Sequence, residues 1–416
     1  MRQRNFRLLW IGETVSSVGG SMATVGLALL AVEVLHASTF AVASLTAAAY
    51  VPWLIIGLPA GVWADRVPSR PLMIGADVAA ALLYASVPVT AWLGVLTMGQ
   101  VIAVALAGGA AEVIFTTAYQ PWLPSILAAG DLLEGNAKMQ GSSSVATIAG
   151  RGAAGLAARI AGDAAALLVN SVSFLVSAAC LLAIRGERPQ PRAARNTSMR
   201  ADIAAGFGLM LRDRYLRPMS IYAVTGNLAF SGSTSLFVIF LVRVDGVSPA
   251  WTGLLLTAGG VGGLLGALAA RRLAQSLGTA RGLVVSGLVC GAATLLIPLA
   301  RPGPLLACFA IGSGVMAAGL AVANTIISSF RQHYCPPEMI GRITATGRFL
   351  AYSGIPVGAL AAGALATALS VRGALWLILT LYALAGTLLL TPALLACRDL
   401  PAAPPAARPG GDPAPG

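Results

Sequence analysis

The sequence predicts an all-α membrane protein, with twelve transmembrane helices arranged as two pseudo-symmetric six-helix bundles. Three observations carry this reading. Of the 416 residues, 57% are hydrophobic and only 10% charged, a balance that does not suit a soluble chain of this length. The apolar runs are long enough to cross hydrocarbon. Their punctuation by charge, proline and glycine also recurs at a fixed offset along the chain. Lipid gives unpaired backbone groups no hydrogen-bond partner, so the spanning unit is a helix of about 20 apolar residues.

The expected spans lie near residues 8–34, 39–62, 71–93, 99–120, 139–159, 163–184, 218–242, 250–270, 282–300, 304–328, 343–369 and 373–396. The first follows Arg2, Arg4 and Arg7 in the manner of a secretory leader. Its apolar run is too long for a leader's hydrophobic region and no A-x-A cleavage site follows, so it reads as an uncleaved first helix. With the amino terminus placed inside, 22 of the 27 Lys and Arg fall on inner segments. Four (Arg159, Arg243, Arg301, Arg372) fall outside and Arg151 lies within a span. That bias sets both termini in the cytoplasm of a bacterial plasma membrane. Basic inner loops facing anionic headgroups account for the net charge of +12, so no nucleic-acid partner is expected. Cys180, Cys290, Cys308, Cys335 and Cys397 lack paired spacing and read as small buried hydrophobes.

The longest polar stretch divides the chain into an amino-terminal bundle (1–185), a basic cytoplasmic linker (186–217), a carboxy-terminal bundle (218–397) and a Pro-rich disordered tail (398–416). The halves match internally. "GVWADR" at 61 and "GALAAR" at 266 each end a second helix, and Gly135 and Gly341 each sit between a fourth and a fifth. Such internal repetition is expected of transporters built around a midplane site.

On these residues the chain resembles the major facilitator superfamily, and especially its bacterial efflux branch with macrolide and enterobactin exporters. "GVWADRVPSR" is similar to the superfamily's signature between helices two and three at Gly61, Asp65, Arg66 and Arg70, with Pro68 and Ser69 departing from it. "LPSILAAGDLLEGNA" from Leu123, "AALLVNSVSFLVSA" from Ala165 and "PPEMIGR" from Pro336 extend the likeness over residues 5–395. The resemblance implies that the Asp65 cluster latches the two bundles together on the inner side in the outward-open state. Asp77, seven residues beyond Arg70, is expected to partner that latch.

An ionisable group in hydrocarbon is costly and is a functional candidate by default. Glu13, Glu112 and Arg151 meet that description alongside Asp77. At about 1.5 Å of rise per residue, Glu13 and Glu112 sit at depths of roughly 8 and 12 Å from the inner end of their helices. The resemblance places both helices on the central cavity. Two carboxylates in a low-dielectric cleft resist joint ionisation, so one can take up and release a proton near neutral pH; the alternative is that one or both stay protonated and bond to neighbouring helices. Arg151 requires an anion, either Glu112 on the neighbouring helix or an anionic substrate. Asn227 and Asn324 either hydrogen-bond between helices or offer polar contacts to cargo, and Tyr50, Trp53, Phe115, Phe230 and Phe237 either belong to packed core or give the cavity an apolar lining.

"GRGAAG" around Arg151 satisfies G-x-G-x-x-G, but no strand precedes it and small residues at this spacing serve close helix packing. His36 and His333 lack companion ligands, so no metal is expected. No cofactor is expected, no phosphate-binding loop is present to bind ATP, and no nucleophile and base stand at recognisable spacing, so the chain does not read as an enzyme. The sequence therefore points to a monomeric secondary transporter whose partners are a small-molecule substrate, protons and the lipid bilayer. It would export an amphipathic molecule such as a drug, antibiotic or siderophore by proton antiport. Proton-coupled import of a nutrient, or a sensor that keeps the fold without transport, are the alternatives.

Overall fold

The structure, a computed structural model, describes residues 4–56, 67–126, 132–162, 164–184, 208, 210–335 and 337–401. Its first six long helices are α1 (Arg4–Glu33), α2 (Thr39–Ile55), α3 (Ser69–Trp92), α4 (Met98–Ile126), α5 (Leu132–Ala161) and α6 (Ala165–Ala183). The second six are α7 (Leu216–Ile239), α8 (Pro249–Leu277), α9 (Thr279–Ala293), α10 (Leu306–Tyr334), α11 (Pro337–Leu369) and α12 (Val371–Ala385), and a short α13 (Pro392–Leu395) follows. No strand occurs among the described residues.

Ten of these helices are long and apolar enough to cross a membrane by length and composition. Of the other two, α2 is apolar with 17 residues described, and α5 carries Ser142, Ser143, Ser144, Thr147 and Arg151 through its middle. Packing explains why α5 is so polar. It lies between α1 and α8, so protein rather than lipid covers much of its surface. The lipid-facing surfaces are instead frankly apolar: Leu82, Ile160, Leu182 and Leu268 are 68%, 75%, 62% and 67% exposed, a belt no soluble protein presents.

Short connections make sequential helices antiparallel, which gives an amino-terminal face and a far face. In the first bundle α1 packs on α5 and α6, α2 on α4, and α3 on α4 and α6. The second repeats each pairing: α7 on α11 and α12, α8 on α10, and α9 on α10 and α12. Even the close approaches recur. Gly109 on α4 lies against the Ala49 carbonyl of α2, where a side chain would wedge the pair apart, and Gly314 on α10 lies against the Ala258 carbonyl of α8, where one would make a tight contact.

Between bundles, α2 packs on α11 and α5 on α8. The contact is tightest toward the far face, where Gly155 meets Pro249 and Gly253, and Gly363 meets Phe40 and Ala43. The buried apolar residues divide accordingly. One continuous core, with Leu29, Leu30 and Ala43 from the first bundle and Ile239, Phe240 and Ala362 from the second, crosses the seam at the far face. At the amino-terminal face each bundle has a core of its own, around Phe6, Leu9, Met73 and Trp122 in one and Leu216, Met219, Phe330 and Tyr334 in the other. The bundles are thus joined at one end and separate at the other.

Polar contacts reinforce the closed end. Arg243, in the π-helical turn after α7, donates to the Ala37 carbonyl at 2.5 Å and the Val32 carbonyl at 3.1 Å. Beside it Arg372 pairs with the buried Asp245 at 2.6 Å and donates to the carbonyls of Pro298 and Ala300. The chain after α13 is ordered further than the sequence suggests. The Arg398 carbonyl accepts from Ala280 N, and Asp399 accepts from Thr279 N at 2.9 Å. These groups cap the amino end of α9, whose unsatisfied amides draw 398–400 out of the expected tail; residues 402–416 lie outside the described ones.

Candidate functional site

Between the bundles lies a cavity of about 590 Å³, within the range that small-molecule sites occupy. Its walls come from both halves. Thr24, Tyr50 and Arg151 stand on one side, and Asn227, Phe230 and Asn324 are on the other. Phe237, Phe309 and Met316 give an apolar end, with Phe237 and Phe309 meeting edge to face at 4.9 Å.

The expected cavity residues divide between lining and packing. Tyr50, Asn227, Asn324, Phe230 and Phe237 line the cavity, and the Asn227 amide donates to the Ala223 carbonyl at 2.9 Å. Phe115 does not line it. That ring stacks on Tyr119 at 6.3 Å and packs against the buried Ala76, Ala80 and Ala111, because its helix turns that face toward α3. Trp53 stacks on Tyr352 of α11 at 4.4 Å, an aromatic contact across the seam.

The intramembrane acids gather on one side of the first bundle. Glu13 on α1, Asp77 on α3 and Glu112 on α4 are within electrostatic range of one another. Asp77 is buried at 2% exposure and bonded to Ser177 of α6, with its second oxygen lacking a hydrogen-bond partner among the described residues. Among the described residues its neighbours include Glu13 and Glu112, while Asp65 and Arg66 of the expected latch lie outside them. Glu112 lies deep in the molecule yet has an exposed side chain, as a group opening on an internal cleft does; Thr116 donates to it at 3.4 Å. Two tyrosines that the sequence reading passed over complete this cluster. Tyr119 feels the Glu13 charge, and Tyr84 feels that of Glu112 while also lining the cavity. Each sits seven residues after an acid on its own helix (Asp77 to Tyr84, Glu112 to Tyr119), a two-turn spacing that keeps them on one face.

Arg151 does not pair with Glu112. No ion pair or hydrogen bond holds its guanidinium among the described residues, and Tyr50 is its electrostatic neighbour. It faces Gly259 of α8 across the seam. The helix around it is continuous from Leu132 to Ala161, with Gly150 against the Val18 carbonyl, so the glycine pattern serves packing. Arg70 donates from Nε and Nη2 to the Leu181 and Leu182 carbonyls at 2.8 Å, which satisfies the carboxyl end of α6 where a cation is favoured. Gly61, Asp65 and Arg66 lie outside the described residues. No group of three or more His, Cys, Asp or Glu suited to a metal occurs among those described.

Two six-helix bundles of one repeated pairing, closed over a central cavity at one end, define a major facilitator transporter. The chain belongs to the family of transmembrane secretion effectors, whose sequence profile matches residues 1–407. It is similar to the multidrug efflux pump Tap of Mycolicibacterium fortuitum, 26% identical over 326 residues covering 76% of this chain and 78% of that protein. In fold it is similar to an inward-facing, unoccupied bacterial homologue of the human lysosomal transporter Spinster, with a TM-score of 0.71 at 13% identity covering 95% and 97% of the two chains. An inward-facing bacterial homologue of the iron transporter ferroportin has a TM-score of 0.72 at 16% identity over 94% and 98%.

Proposed function

We propose that this membrane transporter exports a small amphipathic molecule from the bacterial cytoplasm in exchange for protons. The observation that carries the reading is the meeting of Glu13, Asp77 and Glu112 at membrane depth beside, but outside, the lining of the central cavity. Acids held there without a cation among the described residues are tolerated when they take up protons. Tyr84 touches both regions and is the natural link between them: occupation of the cavity moves its ring, and with it the surroundings of Glu112. Asp77, Ser177 and Tyr119 position the pair and hold their share of the proton.

In this reading the amino-terminal face is cytoplasmic, in keeping with the excess of Lys and Arg on that side. The described state is then inward-facing, with the far face sealed by Arg243 and the Gly155–Gly253 seam. Cargo enters from the cytoplasm, the bundles rock, and protons arriving from outside return the carrier. The similarity to an efflux pump favours the outward direction.

The test is expression in an efflux-deficient bacterium scored against a drug panel, followed by transport in inverted vesicles. Resistance abolished by a protonophore, and uptake driven by an acid vesicle interior, are the expected results. Protonophore-insensitive resistance sinks the coupling, and solute accumulation in whole cells that follows the pH gradient inward sinks the direction in favour of import.

A further inference from the structure

The central cavity has an unusual charge balance. Among the described residues that line it there is no Asp or Glu, and Arg151 is the one charged group. A guanidinium at membrane depth demands an anion or a carbonyl cage; here it has neither among the described residues. Glu13, Asp77 and Glu112 lie outside the lining.

The surroundings of Arg151 leave space for an anionic head rather than for a protein partner. Across the seam the wall is formed by Gly259, Gly260 and Gly263, and a Cβ placed at Gly259 would stand 3.7 Å from Arg151 Nη1. On its own helix the hydroxyls of Ser144 and Thr147 give their protons to the Gln140 and Ser143 carbonyls at 3.1 and 2.9 Å. The guanidinium therefore supplies the donors to anything bound there, in the planar fork that suits carboxylate and phosphate oxygens. The other end of the cavity is apolar and aromatic. Phe230, Phe237, Phe309 and Met316 match a hydrophobic body and leave no polar demand on it.

We propose that the cargo is an amphipathic organic anion, its acidic head paired by Arg151 and its apolar body seated on the Phe230–Phe237–Phe309 wall. This rests on the reading of the chain as a transporter with a central site, and it narrows the substrate class. Arg151 belongs to the first bundle while that wall belongs to the second, so one bound molecule spans the seam that must move.

Binding to the full chain in neutral-lipid nanodiscs tests it, using 2-naphthoate and 1-pyrenebutyrate, each against its own uncharged amide. The acid of at least one pair should bind about tenfold or more tighter than its amide, the worth of a charge-assisted hydrogen bond. Arg151→Gln should erase that preference and Arg151→Lys should keep part of it. The thermal transition and elution profile of each variant establish that it folds; a misfolded Arg151→Gln leaves the acid-to-amide ratio of wild type and Arg151→Lys as the decisive values. Equal binding of acid and amide by wild type, no binding of either pair, or a preference unchanged in Arg151→Gln overturns the assignment. The outcomes separate this assignment from the exporter reading. Proton-driven export of neutral or cationic drugs that survives Arg151→Gln overturns the anion and spares the exporter. Acid-selective binding that depends on Arg151, joined to efflux insensitive to protonophore, supports the anion and sinks proton coupling.

Discussion

The two bundles share one plan of helix pairing but keep their charges in different places. The first bundle holds Glu13, Asp77, Glu112 and Arg151 well inside α1, α3, α4 and α5, whereas the equivalents α7, α9 and α10 carry no acid at all. The second bundle places its ionic groups at helix ends instead. Asp245 pairs with Arg372, Asp399 caps α9, and Asp213 accepts from Tyr215 N, Leu216 N and the Tyr334 hydroxyl at 2.8, 2.9 and 2.7 Å. Burial and the neighbouring Asp213 carboxylate push the Tyr334 phenol above its ordinary range, so it stays a donor at any physiological pH. One pairing plan occurs twice; under the proposed function, charge in the first copy serves transport and charge in the second serves architecture.

That division can be broken most directly at Glu112. Glu112→Gln should cut pH-gradient-driven transport in vesicles by at least about tenfold, because a carboxamide has no proton to exchange, while the melting temperature holds. A transport rate unchanged by Glu112→Gln and Glu13→Gln together would end the assignment of chemistry to the first bundle. Next in size is Arg372→Ala, which leaves the Asp245 carboxylate, itself 1% exposed, with only the charge of Arg301 near it. A loss of about 3–5 kcal/mol in stability is expected from an orphaned buried charge, read by thermal or denaturant unfolding, with the pH dependence of surviving transport unaltered. Arg243→Ala removes two charge-assisted bonds across the seam, each worth about 1.5–3 kcal/mol. Spin labels at Val34 and Val244 should then report a larger far-face-open population; an unchanged distance distribution would show that the apolar seam alone sets the state. Smallest is Asp399→Ala, which deletes a helix cap for about 1 kcal/mol. It should lower the unfolding temperature by a few degrees at most and leave transport alone.

Much of this was legible beforehand, for reasons that differ by residue. Spans show in sequence because lipid imposes length and apolarity on every helix that meets it; α5 shows only through its boundaries, since packing between α1 and α8 frees it from that demand. The acids at 13, 77 and 112 stood out because charge in an apolar run is conspicuous. Matching depth along α1 and α4 already brings Glu13 and Glu112 together; that Asp77 joins them is not legible, since the facing of a third helix is a tertiary fact. Depth along the membrane leaves Glu112 and an anionic substrate equally open as partners of Arg151, because it ignores rotation about the helix axis. Arg243 counted only as one of four basic residues on the sparse side, yet it bridges the bundles; nothing local marks a loop residue whose acceptors are carbonyls some 200 positions earlier.

The seam at Gly155 and Gly253 carries a mechanical consequence. Backbone lies directly on backbone where Gly155 meets Pro249 and Gly253, and along the same helix pair the Ile148 and Thr257 side chains seat on Gly260 and Gly152. Such a surface parts gradually, one helix turn of contact at a time, with Arg243 the polar clasp beside it. Its strength can be graded by single methyl groups, so the timing of the rocking cycle can drift independently of what the cavity recognises.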